Sequence, residues 1–476
     1  MNRNNSSSSL ANLLITGLDL LRNRGFGVSD AIINYLMPLF CFKVLSDLEG
    51  KISATSPLQM NHVPVWSQKL SFAPDLTDSI NDFFVLLKEN NRAWQEVIPS
   101  TKFEARDSAI LAQLILLLSK VQVREASSPG LAIETLLSVV TEKESMFGLY
   151  ADPNDLAQLS ARLLEVEPGM SLLDPACGTG LALVNAAKTV QDNGDEGSTL
   201  KVYGQDVDEQ VFKVCQMNLL LHGLRPKDLV HTDTLLNPLI DKTNKLVQVD
   251  RVICTPPLGG KARDSDRLIN DPFERFRFGL SSNTEALFLQ HILASLNERG
   301  RAAVTTLHGI LFRGGAEERL RKGIIQTDTL EAIVSLPRGM FYTTALPATI
   351  LLFNQQKSWA RQNKVLFIDA SELGKREQRN KTTLNEADMN RIVDTFRRFS
   401  QEEGFSKIVA TEEIAMNNYD LNPNHYLFAD LPKLDISLAE LAQNLVDKER
   451  RHRQATQNLE KVLKVLEVDV GNHGAD

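Results

Sequence analysis

The chain has 476 residues, of which 43% are hydrophobic and 24% are charged, a composition typical of globular proteins rather than of disordered, collagen-like or coiled-coil chains. This length predicts two or three domains, each able to bury its own core. The formal net charge of -8 argues against a protein that coats nucleic acid by itself, because phosphate contacts dominate non-specific affinity. A nucleic-acid partner would therefore require a local basic surface or a second subunit.

The cysteines and the N-terminus exclude further classes of protein. Cys41, Cys177, Cys215 and Cys254 are far apart and match no metal-binding spacing, so we expect buried free thiols and no metal site. The N-terminus is serine-rich and lacks a signal-peptide pattern, and no apolar run approaches about 18 residues. We therefore expect a cytoplasmic protein with no membrane segment.

The periodicity of apolar residues changes along the chain. From Leu10 to about Leu118 they recur at three- and four-residue spacings, which predicts helices. From about Leu172, short apolar runs alternate with helical stretches, which predicts an α/β fold with a Rossmann-like, doubly wound and mainly parallel sheet. The runs are 171–173, 200–203, 250–253, 301–304, 332–335 and 349–353. The last two are close enough in sequence to form an antiparallel pair at one edge of the sheet.

We divide the chain into an N-terminal helical domain (1–140), a sheet domain (141–370) and a C-terminal segment with helices (371–476). The last contains a helical stretch from Ile436 to about Leu466 with a partial heptad-like apolar stripe. Periodicity leaves two interpretations open, a helix packed on its own domain and a helix presented to another subunit. The basic run from Lys448 to Arg453 is likewise either a solvated helix face or a local basic surface.

The segment Asp174-Pro175-Ala176-Cys177-Gly178-Thr179-Gly180 lies between a predicted strand and a predicted helix. Glycines at such a turn let the backbone approach a ligand closely, and the leading acid can meet the amino group of an amino-acid moiety. The usual dinucleotide-binding fingerprint is absent, which favours a ligand similar to S-adenosylmethionine. The cofactor-binding candidates here are Asp174, Ala176, Gly178, Thr179 and Gly180.

Two more acids follow the next predicted strands. Asp206 ends the second strand, where a carboxylate suits hydrogen bonding to ribose hydroxyls. Its alternative role is a helix N-cap, although Asp208 can fill that position. Asp233 follows the third strand and can accept a hydrogen bond from an adenine amino group. The spacing of Asp174, Asp206 and Asp233 is more informative than any one of them.

The fourth predicted strand leads into Thr255-Pro256-Pro257-Leu258. Two prolines at a strand end stiffen the loop and expose carbonyls without adjacent donors. Such a loop suits a pocket that accepts hydrogen bonds from the amino group of a flipped base. The alternative interpretation is a rigid turn without a binding role.

These loops, in this order, resemble those of the modification subunits of type I restriction-modification systems, a family of S-adenosylmethionine-dependent adenine methyltransferases. The resemblance extends from the helical segment between Leu21 and Leu48 to Tyr426. Residues 148–153, which include Tyr150, are similar to the family's segment that contacts S-adenosylmethionine before the catalytic core. Segments similar to later family signatures are 309–316, 336–342, 365–371 and 418–422.

The resemblance implies a cofactor and partners. It implies S-adenosylmethionine as the methyl donor, DNA as the substrate, and a specificity subunit that reads the DNA sequence. A restriction subunit and a second copy of the chain are further candidate partners. A DNA-reading partner would explain how an acidic chain acts on nucleic acid.

One motif departs from the family pattern. The family has Asn-Pro-Pro followed by Phe or Tyr, whose Asn side chain and first proline carbonyl accept from the target amino group while the ring stacks on the flipped base. The Thr255 hydroxyl can still accept a hydrogen bond, but Leu258 has no π-face, and stacking contributes roughly 1 to 3 kcal/mol per base. We expect Thr255, Pro256, Pro257 and Leu258 to hold the base, with turnover slowed about ten- to a hundredfold.

Three functional hypotheses follow. The first is a DNA methyltransferase subunit that modifies the exocyclic amino group of adenine. The second, motivated by Thr255 and Leu258, is a scaffold subunit that binds S-adenosylmethionine with weak or no catalysis. The third is a methyltransferase acting on RNA, protein or a small molecule, against which the signatures at 309–316 and 336–342 argue.

Overall fold

The computed structural model of the chain describes two units. Residues 1–427 belong to one compact unit and residues 428–476 to a second. The first contains a group of N-terminal helices and one large sheet. The described residues are 3–48, 66–90, 102–123, 128–143, 153–192, 200–224, 229–262, 265–341, 346–378, 381–427, 443 and 445–456.

The N-terminal region is helical, as predicted from its periodicity. Its helices are α1 (Arg3–Arg22), α2 (Val28–Leu48), α3 (Leu76–Asn90), α4 (Ser108–Leu118) and α5 (Ser128–Lys143). The apolar faces of these helices meet in one buried cluster. Within it the rings of Phe42 and Phe83 stack with centroids 3.7 Å apart, which ties α2 to α3 through aromatic contact.

Helix α2 is the one described helix that is long and apolar enough to cross a membrane by length and composition alone, with a mean hydropathy of 1.4. The expectation that the chain has no membrane segment stays a prediction. However, 78% of the apolar 18-residue segment of this helix is buried inside the protein. Its apolar side chains therefore serve as core contacts for the surrounding helices.

The rest of the first unit alternates strands and helices. The strands are β1 (Ser171–Asp174), β2 (Lys201–Asp206), β3 (Leu229–His231), β4 (Val249–Cys254), β5 (Leu296–Leu307), β6 (Leu330–Ser335), β7 (Ala348–Asn354), β8 (Lys364–Asp369), β9 (Lys375–Gln378), β10 (Lys381–Thr383) and β11 (Ser406–Ala410). The helices are α6 (Asn154–Leu164), α7 (Leu181–Asp192), α8 (Glu209–Leu221), α9 (Thr284–Ala294), α10 (Ala316–Gln326), α11 (Glu386–Arg398), α12 (Thr411–Met416) and α13 (Asn424–Leu427). The alternation confirms the predicted α/β class.

Nine strands form the main sheet in the order β11-β8-β6-β7-β5-β4-β1-β2-β3. The antiparallel pairing of β6 with β7 is confirmed, but its predicted place at an edge is wrong. Strand β7 lies between β5 and β6, and β8 and β11 extend the sheet beyond them. All seven residues of β7 are buried, and a continuous apolar run of this kind is typical of an interior strand.

The strand order creates a switch point between β1 and β4. From β1 the chain builds β2 and β3 on one side, and it then returns to add β4 and β5 on the other, all in parallel. Ligands of open α/β sheets bind in the crevice outside the carboxyl ends of the strands at such a point. The fold therefore places the candidate loops after β1 and β4 side by side.

Helix α8 joins the sheet to the N-terminal helices. One face, with Val214, Met217 and Leu220, belongs to the helical cluster, whereas Cys215 and Leu219 belong to the cluster against the sheet. At the other end of the sheet, β11 pairs with β8, so residues beyond 370 add an edge strand. The division at 140 and 370 stays a prediction.

The shared helix makes a testable prediction. Leu220 is 0% exposed, and Leu220→Ala leaves a cavity that should lower the free energy of unfolding by about 2–5 kcal/mol. Urea unfolding of the full chain, followed by circular dichroism, measures the change. Leu131 on α5 is 42% exposed, and the control Leu131→Ala should change it by less than about 0.5 kcal/mol. Equal losses in both variants would contradict the shared core.

Candidate active site

The loop after β1 is held in place by backbone hydrogen bonds. Gly178 and Gly180 adopt φ angles of 53° and 80°, a region that L-residues other than glycine rarely enter. The Cys177 N–H donates to Gln205 O at 2.9 Å, and the Gly180 N–H donates to Cys177 O at 2.8 Å. The predicted glycine loop therefore forms a tight turn between β1 and α7, and a backbone hydrogen bond attaches it to β2.

Side chains from neighbouring elements also anchor this loop. Asn218 on α8 donates through Nδ2 to Thr179 O at 2.9 Å, and Thr234 donates through Oγ1 to Pro175 O at 2.6 Å. A Cβ added at Gly180 would lie 2.8 Å from the Cys215 sulfur, which is closer than real Cβ contacts allow. Glycine at 180 is thus required by the close packing of α8 as well as by its backbone angle.

The candidates within the loop differ in exposure. Asp174 is 2% exposed, and its Oδ1 accepts a hydrogen bond from the Ala176 N–H at 3.1 Å. Thr179 is also 2% exposed, whereas Ala176 and Gly178 are half-buried. The observed role of Asp174 is to hold the start of the loop, and a contact between Asp174 and a ligand amino group stays a prediction. Tyr150 lies outside the described residues.

Asp206 links β2 to the glycine loop. Its Oδ2 accepts from the Gly178 N–H at 2.8 Å and its Oδ1 from the Asp208 N–H at 2.9 Å. Asp208, not Asp206, caps α8 by accepting from Gln210 N and Val211 N, as expected for Asp208, whereas the ribose contact of Asp206 stays a prediction. Burial raises the pKa of Asp206, and the two backbone donors oppose that rise.

Asp233 lies two residues beyond β3, and a buried arginine fixes its loop. Its Oδ1 accepts from Leu235 N at 2.9 Å. Arg275, only 2% exposed, donates to Leu235 O at 2.7 Å through Nη2 and pairs with Asp271. Sequence analysis missed Arg275, whose signal would have been two arginines alternating with phenylalanines at 273–278.

The loop after β4 begins beside the loop after β1, because β4 and β1 are paired in parallel. Thr255 and Leu258 are half-buried, Pro256 is buried and Pro257 is exposed. Leu258 packs against the buried cluster that contains Leu172 and Ile350. Part of the Leu258 side chain therefore serves as a core contact, and the rest remains accessible.

The segment after Leu258 docks on the start of α9. A β-bridge joins Lys261 to Asn283, and the Thr284 N–H donates to Gly260 O at 3.1 Å. Glu285, 2% exposed, accepts from the Gly259 N–H at 2.8 Å. Sequence analysis missed Glu285 too, although an acid that leads directly into the apolar stretch 286–289 was a signal for a buried carboxylate.

The later signature segments meet at the same edge of the sheet. Residues 308–313 follow β5, and Arg321 on α10, 3% exposed, donates through Nη1 to Ile310 O and Arg313 O at 2.9 and 2.7 Å. Arg321 Nε donates to Tyr419 O at 2.8 Å. One buried guanidinium therefore joins the segment at 309–316 to the one at 418–422.

The chemistry of this edge fits the nucleoside part of S-adenosylmethionine, which presents hydroxyl and amino donors beside an apolar ring. Asp206 and Asp233 are partly exposed, and Asp233 Oδ2 accepts no hydrogen bond from any described residue. Val207, directly after Asp206, is 65% exposed. Carboxylates beside an apolar surface provide the mixed lining that small-molecule sites use.

Comparisons with known proteins show which family the chain is similar to. The sequence model of the N-6 DNA methylase family matches residues 129–432. The chain is 30% identical over 436 residues to the methylase subunit of the type I restriction enzyme MjaVII from Methanocaldococcus jannaschii, covering 88% of this chain and 73% of that protein. It is 26% identical to the HindI methylase subunit from Haemophilus influenzae, over 80% of this chain and 88% of that protein.

Solved structures show the same fold. The type I restriction-modification methyltransferase subunit from Streptococcus thermophilus superposes with a TM-score of 0.74 at 22% identity, covering 88% of this chain and 99% of that one. A modification subunit of a type I restriction enzyme from Vibrio vulnificus gives 0.68 at 18% identity, covering 90% and 99%. On the sequence matches, the chain belongs to the N-6 DNA methylase family, among the methylase subunits of type I restriction enzymes.

Proposed function

We propose that this chain transfers a methyl group from S-adenosylmethionine to the N6 amino group of adenine in DNA, as the modification subunit of a type I restriction-modification system. The observation that carries the proposal is the position of two loops. The glycine loop and the Thr255–Leu258 loop follow neighbouring parallel strands, β1 and β4, at the switch point of the sheet. A methyl donor and a methyl acceptor bound by these loops would meet at one edge.

The cofactor contacts are assigned to the loops after β1, β2 and β3. S-adenosylmethionine supplies an activated methyl group. In this proposal Asp206 accepts hydrogen bonds from the ribose hydroxyls, and Asp233 accepts one from the adenine amino group through Oδ2. The glycine loop, with Ala176, Gly178, Thr179 and Gly180, holds the amino-acid end, and Asp174 and Tyr150 are further candidates.

The target base is assigned to the loop after β4. The Thr255 hydroxyl and the Pro256 carbonyl accept hydrogen bonds from the exocyclic amino group and so orient its lone pair. Direct transfer needs no protein nucleophile, because the amino nitrogen itself attacks the methyl carbon. Pro257 stiffens the loop, and Leu258 offers the base an aliphatic contact instead of an aromatic ring.

The scaffold hypothesis, in which the chain binds the cofactor without catalysis, receives no specific support from the family match or the relatives. It rests on Thr255 and Leu258 alone. The third hypothesis, another methyl acceptor, is disfavoured because the matching family is one of DNA methylases. Adenine methylation in DNA is therefore the function we adopt.

We assign DNA and a specificity subunit as the partners, with a restriction subunit and a second copy of the chain as further candidates, and we place the complex in the cytoplasm. Residues 445–456 form a helix whose residues are all exposed. Leu445 and Val446 in it are 62% and 56% exposed. Exposed apolar residues on a helix suit contact with another subunit better than solvation alone.

The cofactor assignment predicts the effect of removing one charge. Asp206→Asn keeps the size of the side chain but weakens acceptance from the ribose hydroxyls, so we expect the Kd for S-adenosylmethionine to rise about tenfold. Since burial raises the pKa of Asp206, wild-type affinity should fall on acidification at a higher pH than for an ordinary aspartate. Calorimetry measures the Kd of the variant and the pH dependence of the wild-type Kd. Asp208→Asn is the control, because asparagine is an equally good N-cap. Equal losses in the two variants would refute the assignment.

The base assignment predicts a selective loss of catalysis. Thr255→Ala removes one acceptor for the target amino group, so we expect methylation to fall by about ten- to a hundredfold while the Kd for S-adenosylmethionine stays within twofold. Transfer of labelled methyl groups to DNA measures the rate. Thr327→Ala, at the far end of α10, serves as the control. Unchanged methylation by the Thr255 variant would rule out this role for the hydroxyl.

Restoring the family's tetrapeptide separates a slow enzyme from a scaffold. We expect the double variant Thr255→Asn and Leu258→Phe to raise the methylation rate about tenfold, because a stacking ring contributes roughly 1 to 3 kcal/mol. The same labelled-methyl assay measures it, with Leu258→Met as a control for repacking of the half-buried position. No gain over wild type would count against a role for this tetrapeptide in limiting turnover.

A further inference from the structure

Glu285 is a buried carboxylate that joins two segments at the candidate base site. It is the second residue of α9 and is 2% exposed. Its Oε1 accepts from the Gly259 N–H and its Oε2 from the Leu307 N–H, both at 2.8 Å. Gly259 directly follows Leu258, and Leu307 ends β5, so one side chain connects the loop after β4 to the end of the neighbouring strand.

The surroundings of Glu285 reinforce this connection. The Asn283 side chain accepts from the Glu285 N–H at 2.9 Å and so fixes the start of α9. The Ala262 N–H donates to Ser282 O at 2.8 Å. A Cβ added at Gly260 would lie 2.8 Å from Thr284 Oγ1, so the loop lies directly on the helix start.

We propose that Glu285 is a positioning residue that holds the Thr255–Leu258 loop in the geometry required for methyl transfer, an inference that rests on the proposed function of that loop. The carboxylate touches neither the cofactor nor the base. It acts through the backbone of Gly259, and it adds a link to the end of β5 that the other contacts of this loop with the start of α9 do not make.

The chemistry of the contact requires a carboxylate. Among the described residues no cationic group lies within 4.0 Å of Glu285, and both of its oxygens accept backbone N–H groups. Burial raises the pKa of Glu285, and the two backbone donors and the more distant charge of Arg313 oppose that rise. Burying an ionised carboxylate without a cation in contact costs free energy. The hydrogen bonds from the two backbone N–H groups offset part of that cost. A glutamine has only one acceptor and cannot satisfy both donors.

The expected consequence is a loss in the chemical step rather than in binding. If the loop shifts when one donor loses its acceptor, Thr255 and Pro256 no longer align the amino nitrogen. A misplacement of about 1 Å costs on the order of a hundredfold in rate. The cofactor contacts lie on β1, β2 and β3 instead, and they should be unaffected.

The test uses the full chain, co-purified with its specificity subunit, carrying Glu285→Gln. We expect kcat for DNA methylation to fall about ten- to a hundredfold, with the Kd for S-adenosylmethionine and the KM for DNA within twofold of wild type. Hydrogen exchange adds a readout that does not depend on activity: the amides of Gly259 and Leu307 should exchange faster in the variant. Gly260→Ala, which pushes the same loop away from α9, should reproduce the loss of kcat.

Glu331→Gln is the matched control. Glu331 is 1% exposed and is hydrogen-bonded to Asn354 and Arg361 near the start of β6, so its loss should lower stability but leave kcat unchanged. Unchanged kcat and unchanged exchange in Glu285→Gln would overturn the proposal. So would a parallel loss of cofactor binding, which would indicate general destabilisation. If wild type itself methylates no DNA, the proposed function fails, and the exchange rates alone decide whether Glu285 holds the loop.

Discussion

The parallel pairing of β1 with β4 is the constraint on which the rest of the site depends. These strands lie at the switch point of the sheet, and every candidate contact among the described residues lies at or just beyond the carboxyl end of β1, β2, β3 or β4. At their opposite ends Asp250 locks the register, because its carboxylate accepts from Ser171 N at 2.8 Å and from Asn297 Nδ2 at 2.8 Å. One aspartate therefore aligns β1, β4 and β5, and this alignment brings the glycine loop and the Thr255–Leu258 loop together.

Beyond the carboxyl ends of these strands, three buried charged side chains hold the loops by hydrogen bonds to backbone groups. Arg275 hydrogen-bonds to the loop that carries Asp233, and Glu285 hydrogen-bonds to the loop that follows Leu258. Arg321 joins the segment after β5 to Tyr419. In each case a charged side chain satisfies N–H or C=O groups that would otherwise be buried without a partner. Loops fixed in this way suit a reaction that depends on alignment rather than on a covalent intermediate.

Much of this architecture could be predicted from the sequence. The change in periodicity near Leu172 predicted the α/β class. The glycine loop and the two downstream acids predicted the edge of the sheet to which we assign the cofactor, because strand ends and spacing are local properties. The place of β7 could not be predicted, since a short, fully apolar run does not reveal its neighbours. Arg275 and Glu285 were missed for a related reason: the backbone groups that they bind lie 22 to 41 residues away, and no local pattern records them.

The most direct test of the account is the transfer of labelled methyl groups from S-adenosylmethionine to DNA by the wild-type chain, co-purified with its specificity subunit, alongside calorimetry of cofactor binding. The account predicts incorporation at the N6 position of adenine, at a reduced rate because Leu258 replaces an aromatic ring. Tight cofactor binding without incorporation would contradict it and identify the chain as a scaffold that has kept its ligand and lost its chemistry.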